Sequence, residues 1–427
     1  MMLELLKEKL SALPDAAYEL TETKENRWEF YFIGHKLDQN RTVKTLNTEL
    51  KFYKKSDDGQ FLGNASAVIA PTATEEEIDE TIEKLLFEAS LVKNPFYTLT
   101  DKPVTVPEKK DSVDIRAIAE NCLKDLSEVP ENDITRINSY EIFVSEITRT
   151  TLNSNGVTYT CTYPATEMEV VVNAKKEGHE IELHRIYNSG TCDAEKLKKD
   201  ISRVMQFGED RLKAQPTLKL GSAAVLFSTS DSADIYDYFV DRMHADYVVR
   251  KISDVKIGEP VADFEEADKP SIELVSELPN SSKNYPVDLE GNEIYDRYLI
   301  RDGIAENYCG SRQFSQYLGL EKSSSVTNYR VSGGSVSEEE LRSGDYLEVV
   351  EFSDFQVDGM GGDIAGEIRL GYWHHDGEVM IVTGGSVSGS MQDAAKNMRF
   401  SKETTQYNCK EVPAVTLLPG LRITGVE

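Results

Sequence analysis
Two hydrophobic periods alternate along this chain and divide it into elements. Met2 to Leu10 carries apolar residues at helical spacing, and Trp28 to Ile33, WEFYFI, has the composition of a strand. Arg41 to Tyr53 and Phe61 to Ile69 flank a polar turn at 55–60, which predicts a hairpin. Thr74 followed by Glu77 is a capping box, opening a helix whose apolar face is Ile78, Ile82, Leu85, Leu86 and Ala89. Pro95 lies just past its end, and Thr98 to Asp111, rich in proline and charge, reads as a surface linker.

The next stretch repeats that order. Asp114 to Leu126 is an amphipathic helix, Glu141 to Thr150 and Gly156 to Tyr163 read as strands, and Glu167 to Ala174 pairs with Glu180 to Tyr187 across Lys175–Gly178. Asp193 then leads into a helix with Leu197, Ile201, Val204, Met205 and Leu212 on one face. Hairpin, polar cap and helix thus occur from Arg41 to Val92 and again from Gly156 to Lys213, a similarity of about 50 residues. It predicts two related units in one N-terminal α+β domain, residues 1–214, ending near Ala214-Gln215-Pro216.

From Lys219 onward the pattern turns strand-rich, which predicts a second, β-rich domain over residues 215–427. Lys219 to Phe227 reads as a buried strand, and Ser228 to Ser232 as the cap of a helix through Ile235, Tyr236, Phe239 and Met243. Arg297 to Arg301 is a strand closed by Asp302-Gly303, Arg312 to Leu318 is helical, Glu338 to Arg342 is a helical turn behind Ser337, and Tyr346 to Phe352 is a strand. Asp358 to Gly389 holds nine glycines in 32 residues, yet Ile368, Leu370 and Tyr372 still alternate with Arg369 and Gly371. Asp376-Gly377 supplies the two-residue hairpin signal there. The glycines upstream, at 359, 361 and 362, suit either a bulged turn at a sheet corner or the close approach of another backbone.

Composition narrows the classes. With 427 residues, the chain fits two domains of about 200 residues each. The 75 acidic and 47 basic residues give a formal charge of −28, which phosphate backbones and anionic membrane surfaces repel. Direct nucleic-acid binding and membrane association are therefore not expected. Five scattered cysteines without CxxC spacing suit reduced thiols, and no apolar run reaches spanning length, so a cytoplasmic protein is expected.

Three motifs invite catalytic readings. His179-Glu180-Ile-Glu-Leu-His184 spells H-E-x-x-x-H, in which two histidines could hold zinc and Glu180 serve as general base. At a separation of five, however, helical positions lie about 140° apart and strand positions point to opposite faces. The interleaving of Ile181, Leu183 and Ile186 with Glu180, Glu182 and Arg185 favours a hairpin strand, with His179 at the place Gln60 holds in the first unit. The serines at 228–232 lack a G-x-S-x-G elbow, which favours capping over nucleophilic catalysis. Gly384 to Gly389 has the glycine spacing of a phosphate loop, but Ser390 stands where its lysine is needed. His374 and His375 are adjacent and should face opposite ways as a surface pair.

Read in order, Asp288-x-Glu-Gly291, Leu299-Ile-x-Asp-Gly303, Thr327-Asn328, Gly333-Gly334 before Ser337-Glu-Glu-Glu-Leu341, Asp358-x-x-x-Gly-Asp363 and Gly-Glu-Val379 resemble the TldD/PmbA family, whose members have been called modulators of DNA gyrase. The resemblance implies an α+β N-terminal half, a barrel-like C-terminal half, and a dimer acting in intracellular proteolysis on peptides threaded through a narrow groove. It implies zinc in the TldD branch, held by an H-E-x-x-x-H helix and a cysteine near the C-terminus; the PmbA, or TldE, branch lacks both. Here the helix motif should fall just after Phe227, where the text is Ser-Thr-Ser-Asp-Ser232, and Cys409 falls near the family cysteine. This places the chain in the PmbA-like branch, with no cofactor of its own and zinc expected in a catalytic TldD-like partner. Asn328, Gly361, Gly362 and Asp363 are the residues expected to contact peptide backbone. Alternatives are a metallopeptidase active alone, its site drawn from Cys409, His374, His179 and His184, a homodimer in place of unlike subunits, and a peptide-binding protein unconnected with proteolysis.

Overall fold
The structure is a computed structural model that describes residues 2–13, 16–101, 103–322 and 324–426. Met1, and Lys102 within the expected linker, lie outside the described residues. The N-terminal half consists of one motif used twice. Helix α1 (Met2–Ser11), strands β1 (Ala17–Ile33), β2 (Lys36–Lys55) and β3 (Leu62–Ile69), and helix α2 (Glu75–Leu91) form the first unit. Helix α3 (Ile115–Ser127), strands β4 (Thr135–Asn153), β5 (Thr158–Lys176) and β6 (His179–Ser189), and helix α4 (Ala194–Arg211) form the second.

The two units share a six-stranded antiparallel sheet in the order β3-β2-β1-β4-β5-β6, joined through their first strands from Glu19↔Asn153 to Ile33↔Ser139. The repeat is therefore larger than the hairpin and helix legible in the sequence. On β1, Tyr18, Leu20, Trp28, Phe30 and Phe32 point to the helix layer, while Glu19, Glu25, Arg27, Glu29 and Tyr31 take the opposite face. The predicted capping box is present, with Thr74 accepting from the Glu77 N–H and Glu77 from the Thr74 N–H, and Ile78, Ile82, Leu85 and Ala89 are buried. The pair of strands expected on either side of Pro164 is one strand, β5. Pro164 lies between the last β6 partner, Thr166↔Ser189, and the Lys110↔Thr162 bridge that covers that side of β5, where a missing N–H is tolerated.

The C-terminal half contains β7 (Gln215–Pro216), β8 (Gly221–Phe227), α5 (Ser232–Arg242), α6 (Ala245–Val249), β9 (Ile272–Val275), β10 (Arg297–Arg301), β11 (Ile304–Ala305), α7 (Arg312–Tyr317), β12 (Asn328–Val331) and α8 (Glu338–Leu341). It continues through β13 (Tyr346–Val357), β14 (Asp363–His375), β15 (Glu378–Thr383), β16 (Ser386–Ser390), α9 (Met391–Ala394), β17 (Arg399–Phe400), β18 (Thr404–Tyr407), β19 (Lys410–Pro413) and β20 (Thr416–Thr424). Strands β13-β8-β20-β16-β14 form a barrel that the β13–β14 pairing closes, leaving β13 unpaired with β8 beyond Val349. A second sheet runs β11-β10-β9-β12-β19-β18. Helix α5 is wedged between them: Ile235, Tyr236, Phe239 and Val240 share one core with Phe227 and Val349 of the barrel and with Leu274, Tyr329 and Val331 of the second sheet. The fold is α+β, with a β-rich, barrel-containing second half.

The hydroxyls expected to cap α5 do not cap it. Ser228 donates instead to Glu348 at 2.5 Å and Ser232 to the Thr229 carbonyl at 2.8 Å, and Asp231 at the N-cap makes no side-chain cap bond. The Asp376-Gly377 turn joins β14 to β15 with φ of 50° and 78°, the paired left-handed conformation a two-residue hairpin requires. Among the described residues no helix is long and apolar enough to cross a membrane.

Candidate substrate groove
Three acids on α5, Asp234, Asp237 and Asp241, are spaced i, i+3, i+7, which places them on one side of the helix, away from its core face. Opposite them lies the end of β13 and the turn after it, Phe355 to Gly359, and the two sides enclose a cleft of about 390 Å³ open to solvent. The approach across the cleft is close: a Cβ on Gly359 would lie 2.4 Å from Asp241 Oδ2, which would have to shift. A larger depression of about 540 Å³, among Glu338, Glu339, Arg342 and Glu403, contains an arginine already paired with Glu338 at 2.9 Å.

The second sheet supplies partners to the acids of α5. Tyr329 on β12 donates its phenol to Asp237 Oδ1 at 2.8 Å, and Lys410 on β19 places its ammonium on Asp237 Oδ2 and 3.8 Å from Asp234 Oδ1. Parallel pairing of Tyr329 with Lys410 brings the two together. Burial pushes the Asp234 carboxyl up to about 6, with Lys410 opposing and the neighbouring Asp237 and Asp231 adding to it. Burial also raises Asp241. Burial lifts the Tyr329 phenol well above its ordinary range, and the Asp237 charge adds to this, so it stays a donor. Burial opposes the charge on Lys410, but Asp237 outweighs it and holds the ammonium charged.

The residues expected from sequence fall in two places. Gly361 and Gly362 lie in the β13–β14 turn, and Asp363 opens β14, beside Asp358 and Gly359 of the cleft. Their backbone is largely engaged within the turn: the Gly361 N–H donates to the Asp358 carboxylate, the Gly362 N–H to the Asp358 carbonyl at 2.9 Å, and the Gly362 carbonyl accepts from Met391 at 2.7 Å. Asn328 is fully buried, accepting from Ser281 at 2.6 Å and donating to Asn284 Oδ1 at 3.2 Å. Its neighbour Tyr329, also buried and pointing to the other face of β12, reaches Asp237 at the edge of the cleft. Sequence reasoning did not single out Asp234, Asp237, Asp241, Tyr329 or Lys410; the acidic spacing along α5 was the available signal.

The donor set does not suit a hydrolytic zinc. His179 and His184 lie on β6, where an odd separation points them to opposite faces, and His184 pairs with Glu169 at 3.2 Å. Cys409 is a buried thiol beside Lys410 in sequence, and the Lys410 ammonium already occupies Asp237. Among the described residues, the grouping of three metal-type donors within 4.8 Å of one another is Asp345, His375 and Asp376, exposed at a hairpin end. His374 stacks on Tyr346 at 4.4 Å, while His375 pairs with Asp345 at 2.7 Å.

Solved structures with this fold include a protein described as a modulator of a DNA gyrase from Thermotoga maritima, 15% identical, with a TM-score of 0.78 over 99% of this chain and 100% of that one. TldE from Thermococcus kodakarensis is 18% identical, with a TM-score of 0.78 over 98% of this chain and 100% of that one. A protein described as a modulator of DNA gyrase from Bacteroides thetaiotaomicron is 14% identical, with a TM-score of 0.77 over 99% and 98% of the two chains. No curated protein matches the sequence. Residues 220–427, which carry the barrel, α5 and both sides of the cleft, match the PmbA/TldA metallopeptidase C-terminal domain. Residues 220–427 thus carry a C-terminal domain of the TldD/PmbA family, and along almost its whole length the chain shares the fold of these structures.

Proposed function
We propose that this chain is a PmbA/TldE-like, non-catalytic subunit of a cytoplasmic peptide-processing assembly, divided near Ala214 into an N-terminal domain and a groove-forming C-terminal domain. It pairs with a zinc-bearing TldD-like relative and helps to hold the extended substrate. The observation that carries this reading is Lys410: an ammonium is seated between Asp237 and Asp234 on the helix that follows β8, so a cation there is supplied by the chain itself. A fixed lysine cannot polarise a carbonyl or activate water as a metal ion does.

Two features favour a peptide as the molecule held. Strand β13 pairs with β8 only through Leu347 to Val349, and among the described residues its Glu351 to Val357 stretch has β14 as its one partner, leaving a backbone edge beside the cleft. An open edge next to a cleft is what an added peptide strand uses. The carboxylates of α5 favour positive charge in that peptide. Mixing the purified chain with a zinc-bearing family member and following cleavage of an unfolded peptide tests the reading: activity should require both chains. Cleavage by this chain alone, abolished by a chelator, overturns it.

A further inference from the structure
The loop from Val287 to Glu293 closes on itself through a bridge between those residues and sets two acids against the N-terminal half. Asp288 is buried and accepts from the N–H groups of Glu290 at 3.0 Å, Asn292 at 2.9 Å and Ser325 at 3.2 Å, and from the Asn292 amide at 3.2 Å. Glu290 accepts from the N–H of Arg312, at the start of α7, at 2.7 Å. Across the junction stands Glu19 of β1, also buried, which accepts the Tyr53 phenol at 2.5 Å. Tyr97 lies edge-on to both Tyr53 and Tyr317, each at 6.2 Å, and Asn292 accepts from Thr100 at 2.9 Å. The loop and α7 are thus seated on β1, β2 and the segment at 95–100.

The charges facing Glu290 are Asp288 on its own loop, Glu19 from β1, Lys51 from β2 and Arg312 from α7, with the phenols of Tyr53 and Tyr97 alongside. Both cations are partly committed elsewhere. The Arg312 guanidinium donates to the Thr98 carbonyl at 2.7 Å and lies 3.9 Å from Asp101, and Lys51 sits 5.0 Å over the Tyr53 ring. Asp288 has its four N–H contacts to satisfy a charge; Glu19 and Glu290 have one strong donor each. Burial pushes Glu290 up to about 7, with Asp288 and Glu19 adding, and burial likewise raises Glu19. The three acids are not among the groupings whose oxygens converge within 4.8 Å, so the junction is not a chelating cluster.

We propose that this junction is a proton-dependent latch between the two halves. With Glu290 neutral, the 287–293 loop and α7 stay seated; with Glu290 ionised beside Glu19 and Asp288, like-charge repulsion in a buried place lifts them. Only one side of the contact needs to move, because β1 and β2 are fixed in the six-stranded sheet. The device is independent of what the groove holds.

Hydrogen exchange on the full chain at pH 6 and pH 8, corrected for intrinsic chemistry, tests it, with peptides covering 232–242 as the internal reference. Protection over 287–293 and 312–317 should fall by about tenfold or more between the two values while the reference stays constant. E290Q, which keeps the size and the oxygen that accepts the Arg312 N–H, should hold the pH 6 protection at both. E19Q removes a facing charge and should shrink the loss, which keeps the test decisive if E290Q does not fold. Equal protection in the wild-type protein at both values, or the same loss in E290Q and E19Q, overturns the latch.

Discussion

Replacing Lys410 with methionine separates the structural from the functional role of the cleft. Lys410 is 28% exposed and Asp237 32%, so their pair is neither a surface contact nor a sealed one. Exposed pairs contribute about 0.2–1 kcal/mol, and breaking a buried one costs about 3–5 kcal/mol because the remaining charge is stranded. The intermediate exposure, and the Tyr329 phenol that still serves Asp237, place K410M at a loss of about 1.5 kcal/mol, or roughly 3–6 °C in Tm. D237N should cost a similar amount, since Lys410 keeps only Asp234 at 3.8 Å. The double variant should cost less than the sum by about 1 kcal/mol, read from urea unfolding of all four proteins. Binding should move in opposite directions: by anisotropy, a lysine-rich extended peptide should bind K410M about fivefold tighter and D237N about fivefold weaker, roughly 1 kcal/mol per charge. Strict additivity of the two stabilities refutes the ion pair as described, and peptide affinity indifferent to both substitutions refutes the groove.

Three further outcomes follow. Gly359→Ala should force the Asp241 carboxylate aside, since the new Cβ would stand 2.4 Å from it, and should weaken peptide binding with a stability loss of about 1 kcal/mol or less, because a side chain rather than backbone yields. Asp234, raised by burial from 3.8 to about 6, binds its proton more tightly in the native state than in the unfolded one. Stability should therefore fall as pH rises between about 4 and 6, and D234N should flatten that part of a urea-midpoint profile. Elemental analysis of the purified chain should find well below one zinc per chain, unchanged in H179A and C409A; stoichiometric zinc lost in either variant would return a metallopeptidase to consideration.

Much of the fold was legible because local chemistry settled it. Thr74 and Glu77 spell their capping box within four residues, and Asp376-Gly377 meets the left-handed demand of its turn wherever it occurs. The first stretch of β1, Ala17 to Arg27, escaped notice because its partners on both sides supply what its polar sequence lacks: β2 and β4 pair with it along nearly its whole length. Pro164 suggested a break, but it falls between the last β6 pair and the Lys110↔Thr162 bridge, where the strand continues without its N–H. The groove was harder to see. Tyr329 lies 92 residues from Asp237, and Lys410 lies 173 from it, and their meeting depends on the parallel register of β12 with β19. Asn328 and Tyr329 are neighbours in sequence and both buried, and only the orientation of β12 decides which of them bonds Asp237. The i, i+3, i+7 acids of α5 were visible but carried no mark distinguishing them from an ordinary solvated helix face.

The inner and outer sides of α5 answer to different constraints. At its N-terminal end the two halves meet in a polar seam: Arg185 of β6 forks onto Glu351 of β13, and Arg203 of α4 donates at 3.1 Å to Ser228, which bonds Glu348, itself held within the C-terminal half by Arg342. Buried ion pairs of this kind contribute little net stability over apolar replacements, but each breaks if its geometry changes. Their consequence is positional, fixing how β13 and the start of α5 sit against the N-terminal half. The core side of the helix, Ile235, Tyr236 and Phe239, then holds it between barrel and sheet through apolar packing. Neither constraint reaches Asp234, Asp237 or Asp241, whose structural obligations end with one lysine and one phenol. The chemistry of the cleft can therefore change by substitution on that outer side while barrel, seam and core stay as they are, which makes the side chains along α5, and not the fold around them, the variable part of the site.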